Sequence, residues 1–348
     1  MYYFLFPWAE GGSLREFWKR TPNPLLTSGF VMDIIEQLHG LAAALEELHK
    51  YADEQDSPSM GEDANTRYQG SGGIRHGDLK PENILLFGSG DSSSTHGFGT
   101  LKIADMGLAK HHDVNTRLRK GLTSTKYGTR RYEPPEVEAP RLQDSPTSRL
   151  YDTWSMGCII LEFIVWALYG QDYLDIFNNS IREGKKHDSE PPYYQTGEGG
   201  AKVHHLVSDC IESLFKDARC LKEKTALGDL LAIVKDKLLV VELPGEEDLS
   251  SDGGITIVHP PSPTGEEDTR RYRATAMVLK ESLANIKEKA ANDQFYSFTE
   301  GKQQTRIPAL RSDSSGSLHP NRARDMPAPS TKSMNNLTQM RNNVSNKH

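Results

Sequence analysis

The 348-residue sequence predicts an α+β fold, mostly α-helical with a few short strands. Val31, Ile34, Ile35, Leu38, Leu41, Ala42, Leu45 and Leu48 recur at i, i+3, i+4 and i+7, the stripe of a long helix with one buried face. The run from Asp152 towards Gly170 is apolar on most faces, as in a core helix. Glu162 interrupts its stretch from Cys158 to Tyr169, which is also shorter than the roughly 20 residues a bilayer needs, so no membrane span is expected. Tyr2 to Phe6 and the start of residues 101–107 read as short buried strands, and Leu227, Leu230, Leu231, Val234, Leu238 and Val241 mark a further amphipathic helix.

Polar interruptions at 51–73, 88–99 and 242–268 read as solvated insertions. From about residue 297, Ser, Asn, Pro and scattered Lys and Arg replace the apolar periodicity. The expected organisation is one folded domain over 1–296 and a disordered, mildly basic tail over 297–348. A hydrophobic content of 36% supplies a sizeable core, and a net charge of -7 argues against general nucleic-acid binding by the folded part. Cys158, Cys210 and Cys220 have no metal-ligand spacing, which predicts reduced buried thiols, and His111-His112 and His204-His205 read as surface pairs. The apolar start lacks a charged n-region, so no signal peptide is expected, and the predicted location is intracellular, in cytoplasm or nucleus.

Residues 74–83 read Ile-Arg-His-Gly-Asp-Leu-Lys-Pro-Glu-Asn and bring a carboxylate, an ammonium and an amide into one Pro-restrained loop. Residues 101–107, Leu-Lys-Ile-Ala-Asp-Met-Gly, add a carboxylate at a strand end. Residues 128–136, Gly-Thr-Arg-Arg-Tyr-Glu-Pro-Pro-Glu, and 152–158, Asp-Thr-Trp-Ser-Met-Gly-Cys, follow in order. Together these runs resemble the catalytic loop, the Asp-Phe-Gly motif, the end of the activation segment and the central C-lobe helix of protein kinases. The resemblance implies a protein-kinase-like C-terminal lobe with ATP and Mg2+ as cofactors and a protein substrate.

By that resemblance Asp78 accepts the proton of the attacking hydroxyl, Lys80 faces the phosphate, and Asn83 and Asp105 hold Mg2+. Met106 stands where the family has Phe and is expected to fill much of the same space. His76 and Asp152 are structural, with Asp152 holding the catalytic-loop backbone, and Glu136 pairs with Arg273. The activation segment runs over 105–136, and Thr129 in it contacts base and lysine. Gly77 replaces the Arg that in many kinases grips a phosphate on that segment, so phosphorylation at Thr125 is expected to be weakly coupled to activity.

Residues 6–14 look like the kinase hinge. Phe6 would be the gatekeeper, the backbones of Pro7 and Ala9 would meet adenine, Ser13 a ribose hydroxyl, and Leu85 would floor the base. With the hinge there, the resemblance implies a truncated N-terminal lobe, without the glycine-rich loop, strand lysine and helix glutamate. Gly97-Phe98-Gly99 reads as a turn, and Ala232 to Lys235 as helix. The leading expectation is a serine/threonine protein kinase whose chain is inactive alone. A non-catalytic kinase-like binding module comes second. A small-molecule phosphotransferase, whose loops also use His-Gly-Asp, comes third; Lys80 and Thr129 favour the protein kinase.

Overall fold

The computed structural model describes residues 6–50, 73–88, 99–112, 129–138, 149–182, 190–198, 200–243, 272–293 and 296. In chain order these form α1 (Leu14–Arg20), α2 (Ser28–Lys50), β1 (Gly73–Arg75), β2 (Ile84–Phe87), β3 (Thr100–Ile103) and β4 (Lys110–His112). They continue through α3 (Leu150–Ser180), β5 (Tyr194–Gly197), β6 (Gly200–Val203), α4 (His205–Leu214), α5 (Ala226–Ile233) and α6 (Ala276–Asn292). Most of the expected insertions, the centre of the activation segment with Thr125, and the tail after residue 296 lie outside the described residues.

Three helices start where a hydroxyl satisfies an amide that the first turn leaves open. Ser13 caps α1 in a reciprocal box with Glu16, Thr225 caps α5 through the Gly228 amide, and Thr275 caps α6 through the Val278 amide. The apolar stripe of α2 is buried from Val31 to Leu45, each large side chain contributing about 1.5–3 kcal/mol by leaving water. That face packs α2 along α6, β1 and β3.

Helix α3 is the core element. It is apolar enough in length and composition to cross a membrane, yet 94% of its most apolar window is buried inside the protein. Around its middle Trp18 stacks on Trp166 and Phe163 meets both edge-on, and the Trp166 Nε1–H donates to the carbonyls of Trp18 and Thr21. The helix was expected to end towards Gly170; instead it breaks there and resumes to Ser180. Gly170 adopts φ 82°, and a Cβ on it would lie 2.5 Å from the Pro22 carbonyl, so the close approach of the 21–27 loop demands glycine. The apolar stretch after residue 226 is helical as expected, although α5 passes into a π-turn at Val234–Leu238.

The strands pair as three antiparallel ribbons, β1 with β4, β2 with β3, and β5 with β6. The β2–β3 register, Ile84 opposite Ile103, brings the chain after β3 back beside the 74–83 loop. The residue 6–14 segment lies on the other edge of β2: the Gly11 amide donates to the Leu86 carbonyl and the Leu86 amide to the Gly12 carbonyl. Phe6 departs from the expected buried strand. It is 84% exposed with no strand pairing, and Tyr2 to Leu5 lie outside the described residues. Its apolar character favours burial, but no described neighbour supplies the surface. Cys158, Cys210 and Cys220 are buried free thiols, and burial pushes Cys210 up to about 12. His204 is also buried, not a surface residue, and its Nδ1 accepts from the Leu206 amide at the start of α4.

Candidate active site

The 74–83 loop is built on a buried carboxylate. Asp152, fully buried in the first turn of α3, accepts the His76 amide at 2.8 Å and the Gly77 amide at 2.9 Å, one on each oxygen. His49 of α2 lies 2.9 Å from Asp152 Oδ2, so one carboxylate ties two helices to the loop. His76 continues the frame. Its Nε2 lies 3.0 Å from the Ala104 carbonyl and its Nδ1 accepts from the Asp78 amide, which together select the Nε2–H tautomer. Gly77 has φ 80°, and a Cβ there would press on the Leu108 carbonyl at 3.2 Å. Arg75 itself turns inward over the Tyr151 ring, 4.9 Å from its centroid.

On this frame Asp78, Lys80, Asn83 and Thr129 converge. Asp78 Oδ2 accepts from the Lys80 ammonium at 2.7 Å and from Asn83 Nδ2 at 3.1 Å; Oδ1 accepts from the Thr129 amide at 3.1 Å and hydroxyl at 3.2 Å. Lys80 also donates to the Thr129 hydroxyl at 2.9 Å. A charge-assisted network of this kind fixes both the position and the orientation of the carboxylate.

Asp105 is brought near by the Ala104 amide, which donates to the Asn83 carbonyl at 2.9 Å. Its own carboxylate is exposed and accepts from the Gly107 amide in a left-handed turn at φ 64°. Among the described residues no direct hydrogen bond joins it to Asp78 or Asn83. Met106 is 45% exposed, so it does not fill the space a core Phe would occupy. Among the described residues no three His, Cys, Asp or Glu side chains form a metal cage. The donor set still fits Mg2+: Asn83 spends its Nδ2 on Asp78 and keeps its amide oxygen out of that contact, and Asp105 adds exposed carboxylate oxygen, the hard ligands such an ion takes alongside phosphates.

Of the residues expected around adenine, Phe6 and Pro7 are exposed, and the Ala9 carbonyl accepts from the Gly12 amide in a turn. Leu85 is half-buried and bridges Ser13. The Ser13 hydroxyl donates to Glu16, 3.0 Å away, within the helix cap.

Glu136 and Arg273 meet as a bidentate pair at 2.5 and 2.9 Å, with Arg273 fully buried over the Trp154 ring and donating also to the Val240 and Leu150 carbonyls. A second buried network went unread in the sequence. Glu162, treated there only as a break in an apolar run, is fully buried and accepts from Arg15 at 2.8 Å, Tyr132 at 3.1 Å and Tyr193 at 3.2 Å. Its signal was a lone carboxylate in the middle of a core helix, which requires a cation from elsewhere in the chain.

Glu133, between the anchored Tyr132 and Glu136, is only 8% exposed. Burial pushes its carboxyl up to about 7 against the pull of Arg130, with Glu138 and Asp78 adding to the rise. Its folded pKa thus exceeds the ordinary 4.5, so its contribution to stability is complete below about pH 4.5 and is lost as pH rises through about 7. Glu133→Gln is expected to remove this dependence, roughly 2–3 kcal/mol across that window. Unfolding midpoints of both proteins at a series of pH values check this, and parallel curves would count against it.

Residues 65–220 match the protein kinase domain family. The chain is 34% identical over 134 residues to CBL-interacting protein kinase 20 of Oryza sativa subsp. japonica, covering 36% of this chain and 26% of that protein. It is 38% identical over 94 residues to an Aurora kinase of Yarrowia lipolytica, covering 27% and 20%. Calcium/calmodulin-dependent protein kinase type 1 of Caenorhabditis elegans is 29% identical over 147 residues, covering 41% and 37%. The chain therefore matches well under half the length of these curated relatives.

Proposed function

We propose that the chain, whose residues 65–220 match the protein kinase domain family, serves ATP-dependent phosphoryl transfer to serine or threonine hydroxyls of a protein substrate. The observation that carries this reading is the Asp78–Lys80–Thr129 contact on the Asp152 platform. Phosphoryl transfer asks little covalent work of the protein, and positioning with charge neutralisation dominates. Asp78 orients the substrate hydroxyl and takes its proton as the oxygen–phosphorus bond forms and ADP leaves. Lys80 offsets the charge on the transferred group, and Thr129 holds base and ammonium in register. Mg2+, held by Asn83 and Asp105, would neutralise the nucleotide phosphates.

Turnover in this reading also uses a glycine-rich loop, a strand lysine and a helix glutamate over the nucleotide phosphates. A second reading is a binding module without catalysis, favoured by the exposed Asp105 carboxylate, which among the described residues has no direct hydrogen bond to Asp78 or Asn83. An intracellular setting, in cytoplasm or nucleus, is in keeping with three reduced buried thiols.

Mg-ATP is expected to raise the melting temperature of the chain saturably, by a stabilisation of about 2.7 kcal/mol at a hundredfold excess over Kd, and Asp105→Asn is expected to weaken the effect. Absence of any shift, together with no transfer of labelled phosphate to protein when a glycine-rich loop and strand lysine are also supplied, leaves the binding module. Transfer to a metabolite alone would mark a small-molecule phosphotransferase.

A further inference from the structure

A polar cavity of about 420 Å³ opens beside Lys80 and Thr129, with Arg15, Glu82, Arg131 and Tyr132 in its wall. Arg15 is one of its partly buried cations. Its Nε donates to Glu82 at 3.0 Å, and one terminal nitrogen donates to Tyr132 at 2.5 Å and to Glu162 at 2.8 Å. Its guanidinium also lies 5.2 Å from the Trp18 ring centroid, so it is held from several sides. Burial opposes this charge, yet Glu162, Tyr132 and Glu82 together keep the guanidinium protonated beyond its ordinary range.

The two carboxylates differ. The Glu162 side chain is fully buried, whereas that of Glu82 is 46% exposed and sits in the catalytic loop between Pro81 and Asn83. Without Arg15, Glu82 in the cavity wall and Glu162 buried behind it would both lose this cation, in a wall that already carries Asp175 and Glu190. Of the other cations at the cavity, Lys80 is committed to Asp78, Arg131 and Arg182 share Glu190, and Lys19 is exposed.

We propose that Arg15 is a specificity-determining residue: it fills from within the anionic site formed by Glu82 and Glu162, so the substrate segment in this cavity is uncharged or acidic and not cationic. This rests on reading the cavity as the substrate side of the kinase site, and it names the substrate class. A side chain that satisfies its own acidic pocket acts as a repulsive element against basic partners as well as a structural tie.

The test is equilibrium binding, which needs no nucleotide and no turnover. Two labelled peptides share one serine-centred sequence and differ only in flanking arginines or flanking glutamates. Fluorescence anisotropy measures their Kd values for the 348-residue chain. The wild type is expected to bind the arginine peptide no more tightly than the glutamate peptide. Arg15→Ala is expected to shift the ratio about tenfold towards the arginine peptide. Arg15→Ala/Glu162→Gln removes the buried charge that the single variant strands; it keeps the test valid if that variant does not fold, and is expected to shift the ratio about threefold through Glu82 alone. A wild-type preference for the arginine peptide, an unchanged ratio in the folded variants, or binding of neither peptide overturns the proposal. Failure of phosphate transfer in a completed kinase, with the peptide ratios as expected, would remove the kinase reading and leave the role of Arg15 standing.

Discussion

Asp78→Asn is expected to lower phosphate transfer to protein by two to four orders of magnitude in a protein that also supplies a glycine-rich loop and a strand lysine, the usual contribution of a positioned base. The substitution preserves shape, so the loss isolates the carboxylate. Asp78 takes four donors: the Lys80 ammonium, the Asn83 amide, and the Thr129 amide and hydroxyl. An asparagine must turn its own amide nitrogen towards one of these donor pairs. The Lys80 ammonium then loses its anionic partner while keeping the Thr129 hydroxyl. The frame beneath rests on Asp152 and His76, which the substitution does not touch, so the fold should survive with a small change in melting temperature. Single-turnover transfer of labelled phosphate and thermal unfolding, measured on the same preparation, check both halves. Activity within tenfold of the wild type would rule out Asp78 as the base.

The second large effect is on stability. Arg273→Met leaves the Glu136 carboxylate buried without its cation and removes the donor from the Val240 and Leu150 carbonyls. Breaking such a pair on one side costs about 3–5 kcal/mol, a fall in melting temperature of roughly 10 °C. Arg273→Met/Glu136→Met is expected to be less destabilised than the sum of the single changes, because no stranded charge remains. Urea unfolding midpoints of the four proteins in the cycle decide the matter, and strict additivity would show that the pair is not coupled.

The helical periodicity of α2 and the apolar run of α3 were legible because a buried stripe repeats along a short stretch of chain. The motif residues around Asp78 were legible for a similar reason: a tight loop must carry its carboxylate, ammonium and amide at close spacing. Arg15 was not. It lies far from Glu82 and Glu162 in sequence, and an arginine in a short amphipathic helix has nothing local to mark it. Phe6 and Met106 erred in the opposite direction. Their apolar side chains led to an expectation of burial, and exposure was settled by which neighbours the fold supplies.

Local pattern alone therefore decided the helices, the order of the motifs and the identity of the groups at the centre of the site. Folding in three dimensions decided which distant charge each buried carboxylate receives: His49 beside Asp152, Arg273 on Glu136, Arg15 on Glu162. The reason is that periodicity is written along the chain, whereas a counter-ion for a desolvated charge is drawn from whichever element happens to pack against it.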